Sequence, residues 1–227
     1  MIVSPTGTSF ELVHAPTDTS HDFFENTLTP PSGNSMSGAA EECSTGITLA
    51  GTSAAAALPP QEVLITDLSQ ASFVPGSPAG TWAAPSQFQT ITESSLSHGA
   101  TAAAIAQGTH LGFLAGTGGS SGEPGSGEIT AIQLPATSGS GTPAIVDYVT
   151  CQVGDLSIGA APRPVTAYRS PNGGHAIALV GDVLSDHLYR VDLNQMLDPL
   201  IVPRTAGGHA CAAGSLPASV FTKITTP

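Results

Sequence analysis

Apolar residues in this chain gather in short runs that keep the length and residue types of β-strands. Residues 101–107, 109–116, 128–134 and 144–150 form one set of four, and residues 165–170, 175–181, 187–193 and 200–204 form another. The runs are rich in Val, Ile, Thr and Leu and are bounded by Gly, Pro, Ser or Asn, the pattern of strands separated by turns. Pro171-Asn172-Gly173-Gly174 is the sharpest turn signal, because Asn-Gly supplies the positive φ that a tight hairpin needs. Residues 183–197 also carry a helical spacing, with Leu184, Leu188, Val191 and Gln195 on one face and Ser185 as an N-cap. Strand is the favoured reading for 187–193, since the matching runs at 63 and 129 are short and β-branched. The alanine-rich run 101–107 is read as strand by its register with the third set.

The runs recur. Leu49-Ala50-Gly51, Leu114-Ala115-Gly116 and Leu179-Val180-Gly181 follow one another at steps of 65 residues, and Gly108-Thr109-His110 superimposes on Gly173-Gly174-His175 at the same step. Val63–Asp67 with Leu68, the run 129–134 and the run 188–193 follow at spacings of 66 and 59, so the connecting loops vary in length while the runs persist. A period of this size indicates stacked or radially arranged supersecondary units.

Four short strands per unit, ending in a run such as Leu188-Tyr189-Arg190-Val191-Asp192-Leu193, resemble the blades of β-propeller repeat proteins. The resemblance covers about residues 40 to 205. It departs from the family in unit length, since typical blades have about 40 to 50 residues, and in number, since closed rings have about four to eight blades. The expected fold is all-β and propeller-like, with a repeat of about 65 residues and a ring that is incomplete or has divergent outer blades. Residues 1–40 read as an irregular or divergent N-terminal segment, 41–205 as three blade-like repeats, and 206–227 as a C-terminal segment placed to supply closing strands.

Composition narrows the partners. The 227 residues carry 17 acids against 5 bases, a net charge of −12, with Lys223 as the only lysine. Nucleic-acid binding needs cationic side chains to neutralise phosphates, so it is excluded as an expectation, and anionic membrane surfaces are disfavoured for the same reason. Divalent cations and small molecules are the natural partners, while the oligomeric state is open. The 26 Gly and 19 Pro residues imply many turns and few helices. Residues 94–122 lack Asp, Glu, Lys and Arg, but their Ser, Gly, Thr, His and Gln content argues against membrane insertion. Residues 1–10 show no secretory leader. The Ser/Thr/Gly-rich texture nevertheless suggests an extracellular or periplasmic protein, with the cytoplasm as the alternative. Cys43, Cys151 and Cys211 fit no zinc spacing. Three buried small hydrophobes is the favoured reading, and one disulfide plus a free thiol is the other.

No single motif fixes a reaction. Gly118-Gly119-Ser120-Ser121-Gly122 has the G-x-S-x-G form of a nucleophile elbow, but it lies in a Gly/Ser run with no helix after it. A flexible loop is the favoured reading, leaving Ser120 as an alternative nucleophile. His110 and His175 occupy equivalent places after a turn, which favours a repeated structural role. Asp67 and Asp192 are likewise equivalent and read as structural. His98 is unshared, because Arg163 stands 65 residues later. Asp182 and Asp186 flank the loop between the second and third strands of the third unit, Glu123 lies in the equivalent loop of the second, and Asp155 precedes the third. Taken singly, each acid is most simply a solvated loop charge. Together, as clustered like charges, they call for a cation, and calcium binds such carboxylates with carbonyl oxygens.

Several propeller families hydrolyse lactones or esters with a calcium ion at the mouth of the central channel. The resemblance therefore implies a calcium-dependent hydrolase of lactones or small esters, such as acyl-homoserine lactones. In that reading Asp182, Asp186 and Glu123 hold the ion, and His98 or Asp155 activates water. A non-catalytic extracellular propeller, presenting its loops to a partner, is the alternative and explains the repeat and the absence of a sharp motif at least as well, but the hydrolase is the favoured reading because an acidic, nearly lysine-free surface suits a cation-dependent enzyme.

Overall fold

The computed structural model of the chain describes residues 2–3, 10–14, 24–28, 35–53, 62–67, 72–74, 81–83, 89–92, 100–117, 127–137, 144–153, 165–182, 187–206, 208–212 and 216–224. The described residues are all-β apart from one short helix. Strands β1 (Ile2–Val3), β2 (Phe10–His14) and β3 (Phe24–Leu28) pair in that order. Next come β4 (Ser35–Glu42), β5 (Ile47–Ser53) and β6 (Glu62–Asp67), then a separate pair, β7 (Ser72–Val74) with β8 (Thr81–Ala83). Strand β9 (Gln89–Thr92) returns to β6 and completes a first four-stranded sheet in the order β4-β5-β6-β9.

The second large sheet is a plain meander of β10 (Ala100–Ala106), β11 (Leu111–Thr117), β12 (Gly127–Gln133) and β13 (Asp147–Val153). The third joins β14 (Val165–Arg169), β15 (Ala176–Asp182), β16 (His187–Asp192) and β17 (Phe221–Ile224), with helix α1 (Leu193–Leu197) after β16. Among the described residues all pairings between these strands are antiparallel, and a single parallel bridge joins Thr150 of β13 to Ala210. The triplets at 49, 114 and 179 fall in β5, β11 and β15, the second strand of each large sheet.

The core explains why the strands of the second sheet read as continuous apolar runs. Ile105, Leu114, Ile132 and Leu134 pack on Ile47, Leu49, Val63 and Ile65 of the first sheet. From the opposite face, Phe113, Ala115, Ile129, Ala131 and Val149 pack on Ala176, Ala178, Val180, Tyr189 and Val191 of the third. A sheet covered on both sides needs apolar residues at odd and even positions alike, so its alternation disappears.

The first strands of the sheets lie side by side, with β10 against β4, β5 and β14. Gly38 sits at this crossing, where a Cβ would come within 2.8 Å of the Ala102 Cα. Register shifts mark the same region of both strands, between Met36 and Gly38 and between Ala100 and Ala102.

One expectation changes. Residues 200–204 are not the fourth strand of the third sheet; they form a turn after α1, in which Val202 N–H donates to the Asp198 carbonyl at 2.8 Å and Leu200 N–H to Asp198 Oδ1 at 2.9 Å. The fourth strand is β17. Residues 187–192 form strand, as favoured, and helix begins only at Leu193, capped by Asp192, whose side chain accepts the Gln195 N–H; Leu184 and Ser185 lie outside the described residues.

The cysteines also depart from the favoured reading. Cys151 on β13 is disulfide-bonded to Cys211, 60 residues later, and Cys43 is free and exposed.

Candidate functional site

Three clusters of paired ionisable side chains stand among the described residues. The first sits at the hairpin turns. β4 and β5 are joined through residues 43–46 and β10 and β11 through 107–110, and the last position of each turn has positive φ, 74° at Gly46 and 57° at His110. That conformation turns the His110 N–H and ring toward the first sheet. The fully buried Glu42 accepts the His110 N–H at 3.1 Å through Oε1, while its Oε2 lies 2.8 Å from His110 Nδ1 and 3.2 Å from Thr45 Oγ1. Gln107 adds a second link, donating to the Glu41 carbonyl at 2.7 Å and accepting the Cys43 N–H at 2.9 Å. A buried carboxylate is tolerated only when donors surround it, and here most of them come from the neighbouring sheet.

The second cluster lies within the third sheet. Buried Asp192 receives His175 Nδ1 at 2.9 Å, the Gln195 N–H at 3.1 Å and, more distantly, Arg190 at 3.4 Å. Asn194 Oδ1 accepts the Ala176 N–H at 2.7 Å, so the turn before β15 is fastened to the start of α1. His110 and His175 therefore share a task, fixing a turn to a buried carboxylate, but the carboxylates come from different places.

The third cluster binds the segment after α1 to the edge of the second sheet. Arg204 donates to both Asp147 carboxylate oxygens at 2.7 Å and to the Leu197 carbonyl at 2.9 Å. The His209 ring stacks on Tyr148 with centroids 3.9 Å apart, and its Nδ1 donates to the Tyr148 carbonyl at 2.9 Å. A carbonyl can only accept, so the proton is on Nδ1. Backbone bonds from Thr150 N–H to the His209 carbonyl and from Cys211 N–H to the Thr150 carbonyl, both 2.9 Å, pair residues 209–211 with β13. The Cys151–Cys211 bond closes the same seam. The Arg204 hydrogen bonds hold the Asp147 carboxyl below its usual value against the opposing effect of burial, with the Arg204 charge, the Tyr148 N–H and His209 acting in the same direction as the hydrogen bonds. The pair raises the Arg204 guanidinium in turn.

Of the residues singled out from sequence, Asp182 ends β15, buried and opposite His187. Glu128, which was not among them, is buried near the start of β12. His98, Ser120, Glu123, Asp155 and Asp186 lie outside the described residues. A carboxylate such as Asp182 has the hard oxygens calcium prefers, and it is the one member of the expected ligand set whose position is described. Among the described residues no three His, Cys, Asp or Glu side chains are grouped so as to hold a metal ion.

No known protein family, curated protein or solved structure matches the chain. Among the described residues no helix is long and apolar enough to cross a membrane.

Proposed function

We propose that this chain is a propeller-like scaffold, a non-catalytic binding or structural module that holds the loops between its strands for a partner. The observation that carries this reading is the use made of the paired ionisable groups, two of whose carboxylates, Glu42 and Asp192, are buried. Glu42 with His110 ties the first sheet to the second, and Asp147 with Arg204 ties the second to the segment between α1 and β17. His175 with Asp192 locks a turn inside the third. Each pair stiffens the junctions on which loop presentation depends, as do face-to-face packing on both sides of the second sheet and the disulfide. A structural disulfide also supports an extracellular or periplasmic location, where oxidising conditions preserve it.

Calcium-dependent hydrolysis of lactones or small esters is the second reading. It is favoured by the buried carboxylates Asp182 and Glu128, which stand beside the loops that carry Asp186 and Glu123. Calcium would supply charge to offset a developing oxyanion. Asp182, Asp186 and Glu123 would bind it, and His98 or Asp155 would accept the proton of the attacking water.

One experiment separates the two. The folded protein is assayed on a panel of esters and lactones, acyl-homoserine lactones included, in calcium and then in EDTA. The scaffold reading predicts no turnover above buffer in either and no change of melting temperature with calcium. Turnover lost in EDTA and restored by calcium would overturn it in favour of the hydrolase. Turnover indifferent to EDTA would overturn it in favour of chemistry at Ser120.

A further inference from the structure

The turn Pro171-Asn172-Gly173-Gly174 joins β14 to β15, and its base and tip are built differently. At the base, Ser170 N–H donates to the His175 carbonyl at 2.7 Å and Gly174 N–H to the Ser170 carbonyl at 3.1 Å. His175 Nδ1 meets Asp192 at 2.9 Å, and the Ala176 N–H reaches Asn194 Oδ1 at 2.7 Å. At the tip, Pro171, Asn172 and Gly173 are exposed. Among the described residues nothing hydrogen-bonds to the Asn172 carboxamide or to the Gly173 N–H. A Cβ on Gly173 would meet nothing within 4 Å, so this peptide unit stands in open space.

That combination is reactive. The nitrogen of the following residue can attack an asparagine carboxamide and close a succinimide ring. A side chain on that residue crowds the approach, and glycine has none. Of the four asparagines only Asn172 is followed by glycine. Asn194 supplies the contrast within the same sheet. Its Oδ1 is held by the Ala176 N–H, and the nitrogen that would attack it, that of Gln195, donates to Asp192 at 3.1 Å. Both reacting groups are engaged at Asn194, and neither is at Asn172.

We infer that Asn172 is a self-modifying site, converting to aspartate and isoaspartate with water as the only co-reactant. The Gly173 amide gives up its proton and its nitrogen bonds to Asn172 Cγ. The Cγ–Nδ2 bond breaks, and the departing nitrogen takes up the proton and leaves as ammonia. Water then opens the succinimide. Attack at Cγ restores the ordinary backbone and leaves aspartate. Attack at the main-chain carbonyl leaves isoaspartate, with the backbone routed through the former side chain. Nothing is oxidised or reduced. Either product adds one negative charge to a chain already at −12. The charge arises on the turn that Arg169 approaches, since a Cβ on Gly174 would stand 3.7 Å from Arg169 Nη2. The hydrogen bonds at the base hold the two strands while the tip changes.

The test is incubation of the folded full chain at mildly alkaline pH, followed by acidic digestion and peptide mapping by mass spectrometry. Asn172 is expected to convert to both products while Asn194 stays intact. Conversion should rise with pH, because the deprotonated amide is the attacking form. Gly173→Ala should slow it about tenfold or more. That variant keeps the fold, because the turn takes its positive φ at Gly174, 69°, and the space beside Gly173 is open; circular dichroism checks this. The same chain in urea should lose the contrast, with Asn194 released from its partners. An Asn172 that stays intact in the folded chain, whether or not it converts in urea, overturns the inference. So does a folded Gly173→Ala protein that converts as fast as the wild type.

Discussion

Glu42 and His110 are joined twice across the first two large sheets, through the His110 backbone N–H at 3.1 Å and through its ring Nδ1 at 2.8 Å. The double link exists because His110 takes a φ of 57°, the left-handed conformation that the first sheet reaches with Gly46 at the corresponding turn position. A β-carbon in that conformation carries a steric cost that glycine escapes. His110→Ala keeps this cost and loses the ring, while His110→Gly loses both. His110→Ala is therefore expected to be the less stable variant by about 1 kcal/mol, read from urea midpoints. Equal midpoints would mean that the turn relaxes and that the backbone conformation stores nothing.

Asp147 makes a pH-dependent contribution. Its carboxyl titrates lower in the folded chain than in the unfolded one, chiefly through Arg204. The folded state then binds fewer protons, so the added stability is fully present above the unfolded value of 3.8 and disappears as pH falls toward the lower folded value. Asp147→Asn should melt below the wild type near neutral pH, and the gap should close on acidification below pH 3.8. A gap that stays constant across that range would show that the Arg204 pairing does not govern it.

The thiols give a direct readout. An alkylating reagent should modify native, unreduced protein at Cys43 alone, and all three cysteines after reduction in denaturant. Replacing Cys151 and Cys211 together by Ala should cost about 2–4 kcal/mol, chiefly by freeing the unfolded chain. Hydrogen exchange at the Thr150 and Cys211 amides should rise in the same variant, because the seam they form loses its covalent clamp. Two labelled thiols in the native protein would contradict the pairing.

Two glycines should respond differently to the same added methyl group. At Gly38 a Cβ would stand 2.8 Å from the Ala102 Cα and 2.9 Å from the Ala103 nitrogen, so whole strands must separate. At Gly112 the obstacle is the tip of the Leu49 side chain, 2.6 Å away, which can rotate. Gly38→Ala should cost about 2–3 kcal/mol and Gly112→Ala about 1 kcal/mol or less, measured by urea unfolding. The reverse order would show that β4 and β10 do not meet as described.

The strands of the second and third sheets were legible because they are short, β-branched and punctuated by turn residues. Where the reading failed, local sequence misled in identifiable ways. Leu200-Ile201-Val202 resembles a strand, but Asp198 and Pro199 before it favour the turn that forms. Phe221–Ile224 is too brief and polar to announce itself, and it becomes a strand by pairing with β16. The shared place of His110 and His175 pointed to structure, yet their partners could not be read. Glu42 follows Glu41 and looks like a solvated charge until His110 arrives from 68 residues away. Asp147 and Arg204 meet across 57 residues, and neither carries a motif.

Ionisable pairs fasten the turns and junctions of this fold, and a double-mutant cycle on Glu42 and His110, the pair that joins the first sheet to the second, measures that fastening. Urea unfolding of the wild type, Glu42→Gln, His110→Gly and the double variant isolates the energy that the two side chains share. A coupling of about 1–3 kcal/mol in favour of the folded state is expected. Additive single-variant effects, with a coupling near zero, would contradict it and reduce the junction to apolar packing alone.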